Sequence, residues 1–488
     1  MTGMNILRPL TAKWNFGPVG LASVCIFFVT LIIFPSCSKH PDVMVPKADT
    51  PRLVFSQTFG GSQGDNFVAV AKTSDGGYIM AGSTISANGS GDIPATPPVG
   101  SSYDMLIVKV GPDGSKQWVT TLGGDQDDYG QGIVACPDGS GYMIAGYTNS
   151  NNAGDIPATR GNNDIVVAKL SSDGKKQWVK TYGGDGDDIA QTLAVSPDGK
   201  DYILAGLTTS NNNGDIPPLH SKDFAFNSDI VVAKLRADGT LQWVKTYGGN
   251  QSESTRSIIV CPDGSGYALA GYTSSDSSGD IPKTHNGNSG ISDMLVMKLG
   301  TGGEKQWARA YGGKDFDFAT AIAASPDGSG YMITGMTISN NSGDIPATKG
   351  DYDIVVVKVD AGGNKQSIHT YGGNGDDEAF GIAATPDGDF VLAGFTGSNG
   401  SGDIPTSHAA ALNYLDAVVA RLGPDGSKKW VKAYGGNDTE EAISVVVGAD
   451  GGLVIAGYTA SNGDFNVPAN HGRTGTNDGW LFKVKEGR

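Results

Sequence analysis

An acidic residue recurs at one position along this chain, four residues after the second glycine of a Gly-Gly pair. All seven copies keep the charge: Asp65, Asp128, Asp188, Glu253, Asp317, Asp377 and Glu440. Carboxylates that start strands around a common axis could form a ring that binds a cation or a cationic ligand. The alternative is structural, with each carboxylate accepting backbone N–H bonds and tying its repeat to the next.

A basic position recurs three residues after the proline of an Asp-Ile-Pro motif. The residues there are Pro97, Arg160, His220, His285, Lys349, His408 and His471. Four of the six histidines of the chain are in this set. One imidazole per repeat, spread around a ring, does not converge as three or four zinc ligands do. We interpret the position as a solvated basic loop residue.

Two acidic glycine-rich stretches, at residues 183–188 and 372–377, match the calcium nonapeptide pattern for six residues. That motif needs neighbouring copies stacked in a β-helix, and these two stretches are far apart in the chain. We expect no cofactor, and isolated Ca²⁺ in these oxygen-rich loops stays open as an alternative.

The sequence contains no nucleophile elbow, no His-Glu-x-x-His and no phosphate-cradling glycine loop. We therefore expect a protein that is not an enzyme. The rival hypothesis is a glycan-active hydrolase or lyase, in which one or two repeats break the symmetry with inward His, Tyr, Glu or Arg. The repeat that begins at Tyr247 is the best place to look, because it carries Glu253 and Arg256, although an ion pair between those two would explain them equally well.

The amino-acid composition indicates which kind of secondary structure carries these residues. Of 488 residues, 73 are glycine, and only 18% are charged. Helix interiors tolerate glycine poorly, so a turn-rich β architecture is favoured. The net charge of −16 repels phosphate backbones, and nucleic acid is not an expected partner.

The chain is built from seven copies of one unit of about 62 residues. An aromatic residue or leucine precedes Gly-Gly at Phe59, Leu122, Tyr182, Tyr247, Tyr311, Tyr371 and Tyr434. A Gly-Asp-Ile-Pro motif has its aspartate at Asp92, Asp155, Asp215, Asp280, Asp344 and Asp403, with a stretched seventh copy at Asp464. Each unit contains four short β-branched and aromatic stretches separated by turn signals, which predicts a four-stranded antiparallel meander.

Seven such units predict an all-β fold, a seven-bladed β-propeller of four-stranded antiparallel blades over residues 53–488. Residues 53–59 match the fourth, tryptophan-bearing strand, and residues 478–484 match the third strand. We therefore expect the N-terminal strand to complete the C-terminal blade and close the ring. Two short Asp-Gly turns per blade should share one face, and the long connections should share the other. We call the latter the long-loop face.

The repeat consensus of aromatic-Gly-Gly, an acid, Pro-Asp-Gly, Tyr-x-x-Ala-Gly-x-Thr and Asp-Ile-Val-Val-x-Lys-Leu resembles the bacterial β-propeller repeat family often called SBBP. The resemblance covers residues 53–488. It implies a secreted or surface location and the propeller architecture, and it carries no defined activity.

Residues 1–36 are predicted to be a lipoprotein signal peptide, and residues 37–52 a flexible tether. The apolar run at residues 21–34 has signal-peptide length and is too short for a comfortable membrane span. It ends in Phe34-Pro35-Ser36-Cys37, which resembles a lipobox with Cys37 as the lipidated residue. The alternative is an ordinary secretory signal.

The predicted function is that of a non-catalytic lipoprotein of the cell envelope, at the outer membrane of a Gram-negative bacterium. It would bind a protein or glycan ligand through the long-loop face, because loops carried on a rigid scaffold are the usual place for recognition. We expect a monomer that contacts the membrane only through its lipid anchor.

Overall fold

The computed structural model describes residues 51–86, 89–94, 102–220, 227–287, 290–408, 414–472 and 475–487. This part of the chain belongs to one compact unit and contains no helix that could span a membrane. The predicted signal peptide, Cys37 and the tether as far as residue 50 lie outside the described residues. Pro97 also lies outside them.

The described strands form seven four-stranded antiparallel sheets, numbered here as blades from the inner to the outer strand. Blade 1 is β2 Asp65–Lys72, β3 Tyr78–Thr84, β4 Asp104–Val110 and β5 Lys116–Leu122. Blade 2 is β6 Asp128–Ala135, β7 Tyr142–Thr148, β8 Asp164–Leu170 and β9 Lys176–Tyr182. Blade 3 is β10 Asp188–Val195, β11 Asp201–Thr208, β12 Asp229–Arg236 and β13 Leu241–Tyr247.

The remaining blades repeat the pattern. Blade 4 is β14 Glu253–Val260, β15 Gly266–Thr273, β16 Asp293–Gly300 and β17 Lys305–Tyr311. Blade 5 is β18 Asp317–Ala324, β19 Gly330–Thr337, β20 Asp353–Asp360 and β21 Lys365–Tyr371. Blade 6 is β22 Asp377–Ala384, β23 Phe390–Thr396, β24 Asp416–Leu422 and β25 Lys428–Tyr434. Blade 7 is β26 Glu440–Val447, β27 Leu453–Thr459, β28 Asp478–Lys485 and, from the other end, β1 Arg52–Phe59.

Burial across a blade follows from this order. The third strands are buried along nearly their whole length, because neighbouring blades cover both faces of each sheet. This explains why they read as continuous apolar runs rather than as alternating ones. The outer strands are exposed at their first residues and half-buried further along. The predicted seven-bladed fold, with the tryptophan strand outermost, is confirmed.

Each inner strand contains a register shift opposite a glycine of the second strand. In blade 3 the shift falls between Ala190 and Thr192, opposite the Gly206 region of β11. A Cβ on Gly206 would lie 1.8 Å from the carbonyl oxygen of Ile189, so no larger residue fits there without movement. The extra residue of the bulge, Gln191, lines the central channel.

Adjacent blades are joined at their outer edges by the aromatic residues of the repeat. The Trp118 ring packs against Gly174 in a turn of the next blade, where a Cβ would lie 2.7 Å from the indole. The Tyr371 hydroxyl donates to the carbonyl of Gly426 in the next blade at 2.6 Å. The aromatic residue before Gly-Gly is therefore an anchor between blades.

The ring closes where β1 pairs with β28 in antiparallel register. The indole N–H of Trp480 donates to Ser56 Oγ at 2.8 Å across this junction. The expected completion of the C-terminal blade by the N-terminal strand is confirmed. Cys136 and Cys261 are buried free cysteines that follow the inner strands of blades 2 and 4.

Candidate functional site

The seven recurring acids start the inner strands on the long-loop face, and each is at most 1% exposed. Asp128 shows the shared geometry. It accepts the backbone N–H of Gly124 at 2.7 Å, the hydroxyl of Ser150 at 2.9 Å and the hydroxyl of Thr148. None of the seven is among the described residues that line the central cavity. Their contacts are those of the structural alternative, and a cation ring stays a prediction.

Burial dominates the electrostatics of these acids. It raises the pKa of Asp65, Asp128 and Asp317 to about 6. It raises the pKa of Glu253 and Glu440 to about 7. The hydroxyl and backbone donors lower each pKa and offset part of the desolvation.

A second row of carboxylates begins the third strands, and it meets the first row across each blade boundary. A Cβ on Gly60 would lie 2.5 Å from Asp65 Oδ2 and 2.9 Å from Asp478 Oδ1, so two carboxylates from neighbouring blades contact one glycine. In the next pair, burial and the charge of Asp128 raise the pKa of Asp104 to about 7. The first glycine of each Gly-Gly therefore has a packing role, because a side chain would displace this pair.

The recurring basic residues are exposed or half-buried and lie in loops, as the sequence indicates, but their side chains also form ion pairs that the sequence analysis did not anticipate. In blade 3, His220 Nδ1 lies 2.7 Å from Asp229 Oδ2 of its own blade, and Nε2 lies 3.2 Å from Asp280 Oδ2 of blade 4. Asp280 in turn contacts Lys305 Nζ at 2.6 Å. Equivalent pairs across blades are Arg160 with Asp215, His285 with Asp344, Lys349 with Asp403, and His471 with Asp92.

We call these pairs the interblade clasp. In five of the seven blades, the aspartate of the Gly-Asp-Ile-Pro motif receives a basic side chain from the preceding blade. The hydrogen bond to Asp229 raises the pKa of His220, and the bond to Asp293 raises the pKa of His285 in the same way. His408 departs from the pattern. Its ring packs on Phe465 at 4.8 Å, because the seventh motif is stretched.

Metal-binding clusters of three or more His, Cys, Asp or Glu side chains do not occur within the described residues. In the loop at residues 183–188, two of the three carboxylates already accept hydrogen bonds. Asp187 Oδ1 accepts Asn163 Nδ2 at 2.8 Å, and Asp188 accepts Gly184 N–H at 2.7 Å.

The seven inner strands enclose a central cavity of about 650 Å³. It extends toward the long-loop face on the side of blades 4 to 6. Second strands end at the long-loop face and inner strands begin there. The lining includes Tyr272 and Met336 near the ends of second strands, and Phe318 and Glu378 near the starts of inner strands. The cavity is therefore asymmetric.

The cavity is where the repeats differ from one another. Three residues after each recurring acid, at the bulge, the blades carry Val68, Gln131, Gln191, Arg256, Thr320, Phe380 and Ile443. One residue after the acid they carry Asn66, Tyr129, Ile189, Ser254, Phe318, Glu378 and Glu441. Positions that the fold requires have similar residues in all seven blades, whereas the residues at these two positions differ in size, charge and polarity.

Opposite charges line this cavity in different blades. Burial, and then the nearby Glu441, raise the pKa of Glu378 to about 7. Arg256 is exposed to the channel, and its charge acts on the pKa of Tyr147 in blade 2. The suggested ion pair between Arg256 and Glu253 is not formed among the described residues. Glu253 is buried and accepts the Thr273 hydroxyl at 2.6 Å.

Exposed aromatic side chains cluster on the long-loop face. Of the six exposed large apolar residues that the structure describes, four lie in its connections in blades 5 to 7: Phe316, Tyr352, Tyr414 and Phe465. The other two, Leu53 and Val54, are on the outer strand β1. Sequence reasoning singled out the face and Arg256. It missed the aromatic residues and Glu378, although divergence among the copies was a signal that could have found them.

Fold and site together define a seven-bladed β-propeller with an asymmetric central cavity. No family model matches the chain. The regulatory protein FlaEY of Caulobacter vibrioides is 23% identical over 409 residues, which cover 77% of this chain. The aligned region is 41% of FlaEY, so this chain spans about two fifths of that relative's length.

Solved structures of similar shape include hydrazine synthase from Kuenenia stuttgartiensis and the Pan2 WD40 domain of Neurospora crassa. The first is 12% identical, covers 80% of this chain and 92% of its own, and has a TM-score of 0.44. The second is 7% identical, covers 90% and 98%, and has a TM-score of 0.45.

Proposed function

We propose that this chain is a non-catalytic lipoprotein of the bacterial outer membrane, of the SBBP type, and that it binds a protein or glycan through the long-loop face. The observation that carries the proposal is the group of exposed aromatic residues on that face. Large aromatic side chains are enriched where proteins recognise partners. Exposed apolar residues without a binding role are expected to be scattered over the surface and not grouped on one face. FlaEY is named as a regulatory protein, and a binding role agrees with that name.

The binding proposal is tested by a screen of envelope glycans and proteins against residues 38–488. A variant with Phe316, Tyr352, Tyr414 and Phe465 replaced by Ser is expected to lose most binding. The matched control replaces Leu53 and Val54 by Ser, which removes apolar surface away from the face. Equal loss in both variants would contradict the proposed location.

The same screen, run with Ca²⁺ and with a chelator, tests the calcium alternative. We propose that no cofactor is required, so affinity and melting temperature should not change on chelation. A fall in melting temperature after chelation would assign a metal to the loops.

The lipid anchor is tested separately at Cys37. Cys37→Ser in the full chain should abolish incorporation of labelled fatty acid and release the protein from the membrane fraction. Protease treatment of whole cells then shows on which side of the outer membrane the propeller lies. Retention of the serine variant in the membrane would contradict a lipid-only anchor. Light scattering of the released protein measures its mass and so tests the expectation that it is a monomer.

A glycan-active enzyme is a second candidate, favoured by one observation. Glu378 lies in the cavity with a raised pKa and has a second carboxylate, Glu441, nearby. A pair of carboxyl groups is the machinery of glycoside hydrolysis. Turnover of a polysaccharide panel that disappears in Glu378→Gln would establish this candidate in place of the first.

A further inference from the structure

We propose that the central cavity at blades 4 to 6 binds a small organic zwitterion. Its alkylammonium group would contact Glu378 and the aromatic wall, and its anionic group would contact Arg256. The cavity opens toward the long-loop face, but the proposal does not rest on the function proposed for that face.

The cavity has the size of a small-molecule site. Its volume of about 650 Å³ falls within the range of about 300–1,000 Å³ that is usual for such ligands. It is lined by rigid strands rather than by loops, so its walls are preformed. Its opening toward the long-loop face at blades 4 to 6 gives a ligand access from solvent.

Aromatic rings form one wall and connect it to the surface. The exposed Phe316 stacks parallel to Phe318 with centroids 5.9 Å apart. Phe318 meets Tyr272 of the neighbouring blade edge to face at 5.0 Å. Phe380, from blade 6, also lines the cavity. Aromatic faces attract organic cations, especially where water is partly excluded.

Glu378 supplies a negative charge beside this wall. It is half-buried, and neither it nor Glu441 has a Lys, Arg or His partner within 4.0 Å among the described residues. The two carboxylates disfavour each other's ionised form, which is part of the reason that the pKa of Glu378 is raised. A bound ammonium group would relieve this repulsion.

Arg256 supplies the opposite charge from two blades away. Its guanidinium has no carboxylate within 4.0 Å in the described part of the chain, although Glu378 lines the same cavity. Arg256 and Glu378 therefore form no ion pair with each other, and each can bind an opposite charge on a ligand. A molecule with both charges satisfies both residues, whereas a simple cation or anion satisfies one.

The fold itself does not require these residues. The positions of Arg256 and Glu378 are occupied by Gln191 and Ile189 in blade 3, which has the same sheet order and the same bulge. Arg occurs at the bulge in blade 4 only, and Glu follows the recurring acid in blades 6 and 7 only, so these charges are features of particular blades and not of the repeat.

The test is calorimetric titration of residues 38–488 with glycine betaine, phosphocholine and lysine at low salt. We expect saturable binding of at least one, and at least tenfold weaker binding of tetramethylammonium and acetate. Arg256→Gln and Glu378→Gln should each weaken the zwitterion by tenfold or more. The matched controls Arg236→Gln and Glu304→Gln remove exposed charges elsewhere and should leave the affinity unchanged.

Protonation provides a second readout. A cation beside Glu378 lowers its pKa, so binding near pH 7 should release protons, and that release should vanish in Glu378→Gln. Circular dichroism of each variant confirms that the propeller is intact. Failure of all three zwitterions to bind, equal effects of the control variants, or tighter binding of a neutral disaccharide would overturn the proposal.

Discussion

His220 of blade 3 reaches across the blade boundary to Asp280 of blade 4, with Nε2 3.2 Å from Oδ2. The other nitrogen of the ring lies 2.7 Å from the buried Asp229. One imidazole thus joins a carboxylate inside its own blade to a carboxylate of the next. The same relationship recurs at His285 and His471.

Removal of three such imidazoles should destabilise the ring additively, because the sites are far apart. We expect the combined His220→Gln, His285→Gln and His471→Gln variant to lose about 1.5–3 kcal/mol, from about 0.5–1 kcal/mol per partly exposed pair. Urea denaturation at pH 6 measures the change. Lys283→Gln removes an exposed loop cation and serves as the control. A triple variant as stable as the control would show that the clasp does not contribute to the free energy of unfolding.

Stability should fall as the pH rises from 5 to 8. The buried acids have a pKa of about 6 to 7 in the folded chain against about 4 when unfolded, so the folded chain keeps protons that the unfolded chain releases. Their contribution is full below pH 4 and is lost as the pH passes 6 to 7. The clasp histidines have a pKa raised above the ordinary value of 6.5, so their contribution is lost as the pH rises above 6.5 through that raised pKa.

The expected loss between pH 5 and pH 8 is at least about 2 kcal/mol, since one pKa unit corresponds to about 1.4 kcal/mol. Urea midpoints at pH 5, 6.5 and 8 measure it. The surface aspartates with lowered pKa, such as Asp75 at about 2, act only in more acidic solution. A midpoint that rises with pH would contradict the buried-acid account.

The two substitutions of Asp128 should differ sharply. Asp128→Ala leaves the Gly124 N–H and two hydroxyls without their acceptor, and we expect a cost of about 2–3 kcal/mol. Asp128→Asn keeps an acceptor and carries no charge, so at pH 8 it should be within about 1 kcal/mol of the parent. Thermal and urea unfolding at pH 8 give the comparison. Equal damage by Asn and Ala would mean that the charge itself is required.

Much of the fold follows from local patterning, because a blade copied seven times repeats each turn and strand signal. The position of residues 53–59 at the start and of residues 478–484 at the end was enough to predict ring closure. The clasp was missed for a physical reason. Asp280 and His220 are separated by a whole blade in sequence, and only the radial arrangement brings them together.

The cavity was missed for the opposite reason. Its residues break the repeat, so a consensus discards them. Arg256 stands out in the sequence because it is a charge within an inner strand, whereas Glu378 directly follows a recurring acid and does not stand out from it. The direction in which each of these side chains points depends on the bulge, which sequence alone does not place.

The glycine of the second strand should be among the least replaceable residues. Gly206→Ala would place a Cβ 1.8 Å from the Ile189 carbonyl oxygen, and displacing the bulge should cost about 3 kcal/mol or more. The control is Gly64→Ala, where a Cβ would have its nearest neighbour at 3.8 Å, so the cost should stay within about 0.5 kcal/mol. Urea midpoints of the two variants decide the matter, and a tolerated Gly206→Ala would disprove the close approach.

The junction between Ser56 and Trp480 joins residues 424 positions apart in the chain. Since β28 follows all the other described strands in the chain, the ring cannot close before β28 has been made. Until then β1 has no partner strand to pair with. An unpaired strand edge can pair with the wrong strand, so this architecture favours assembly of the ring only after all seven blades are available.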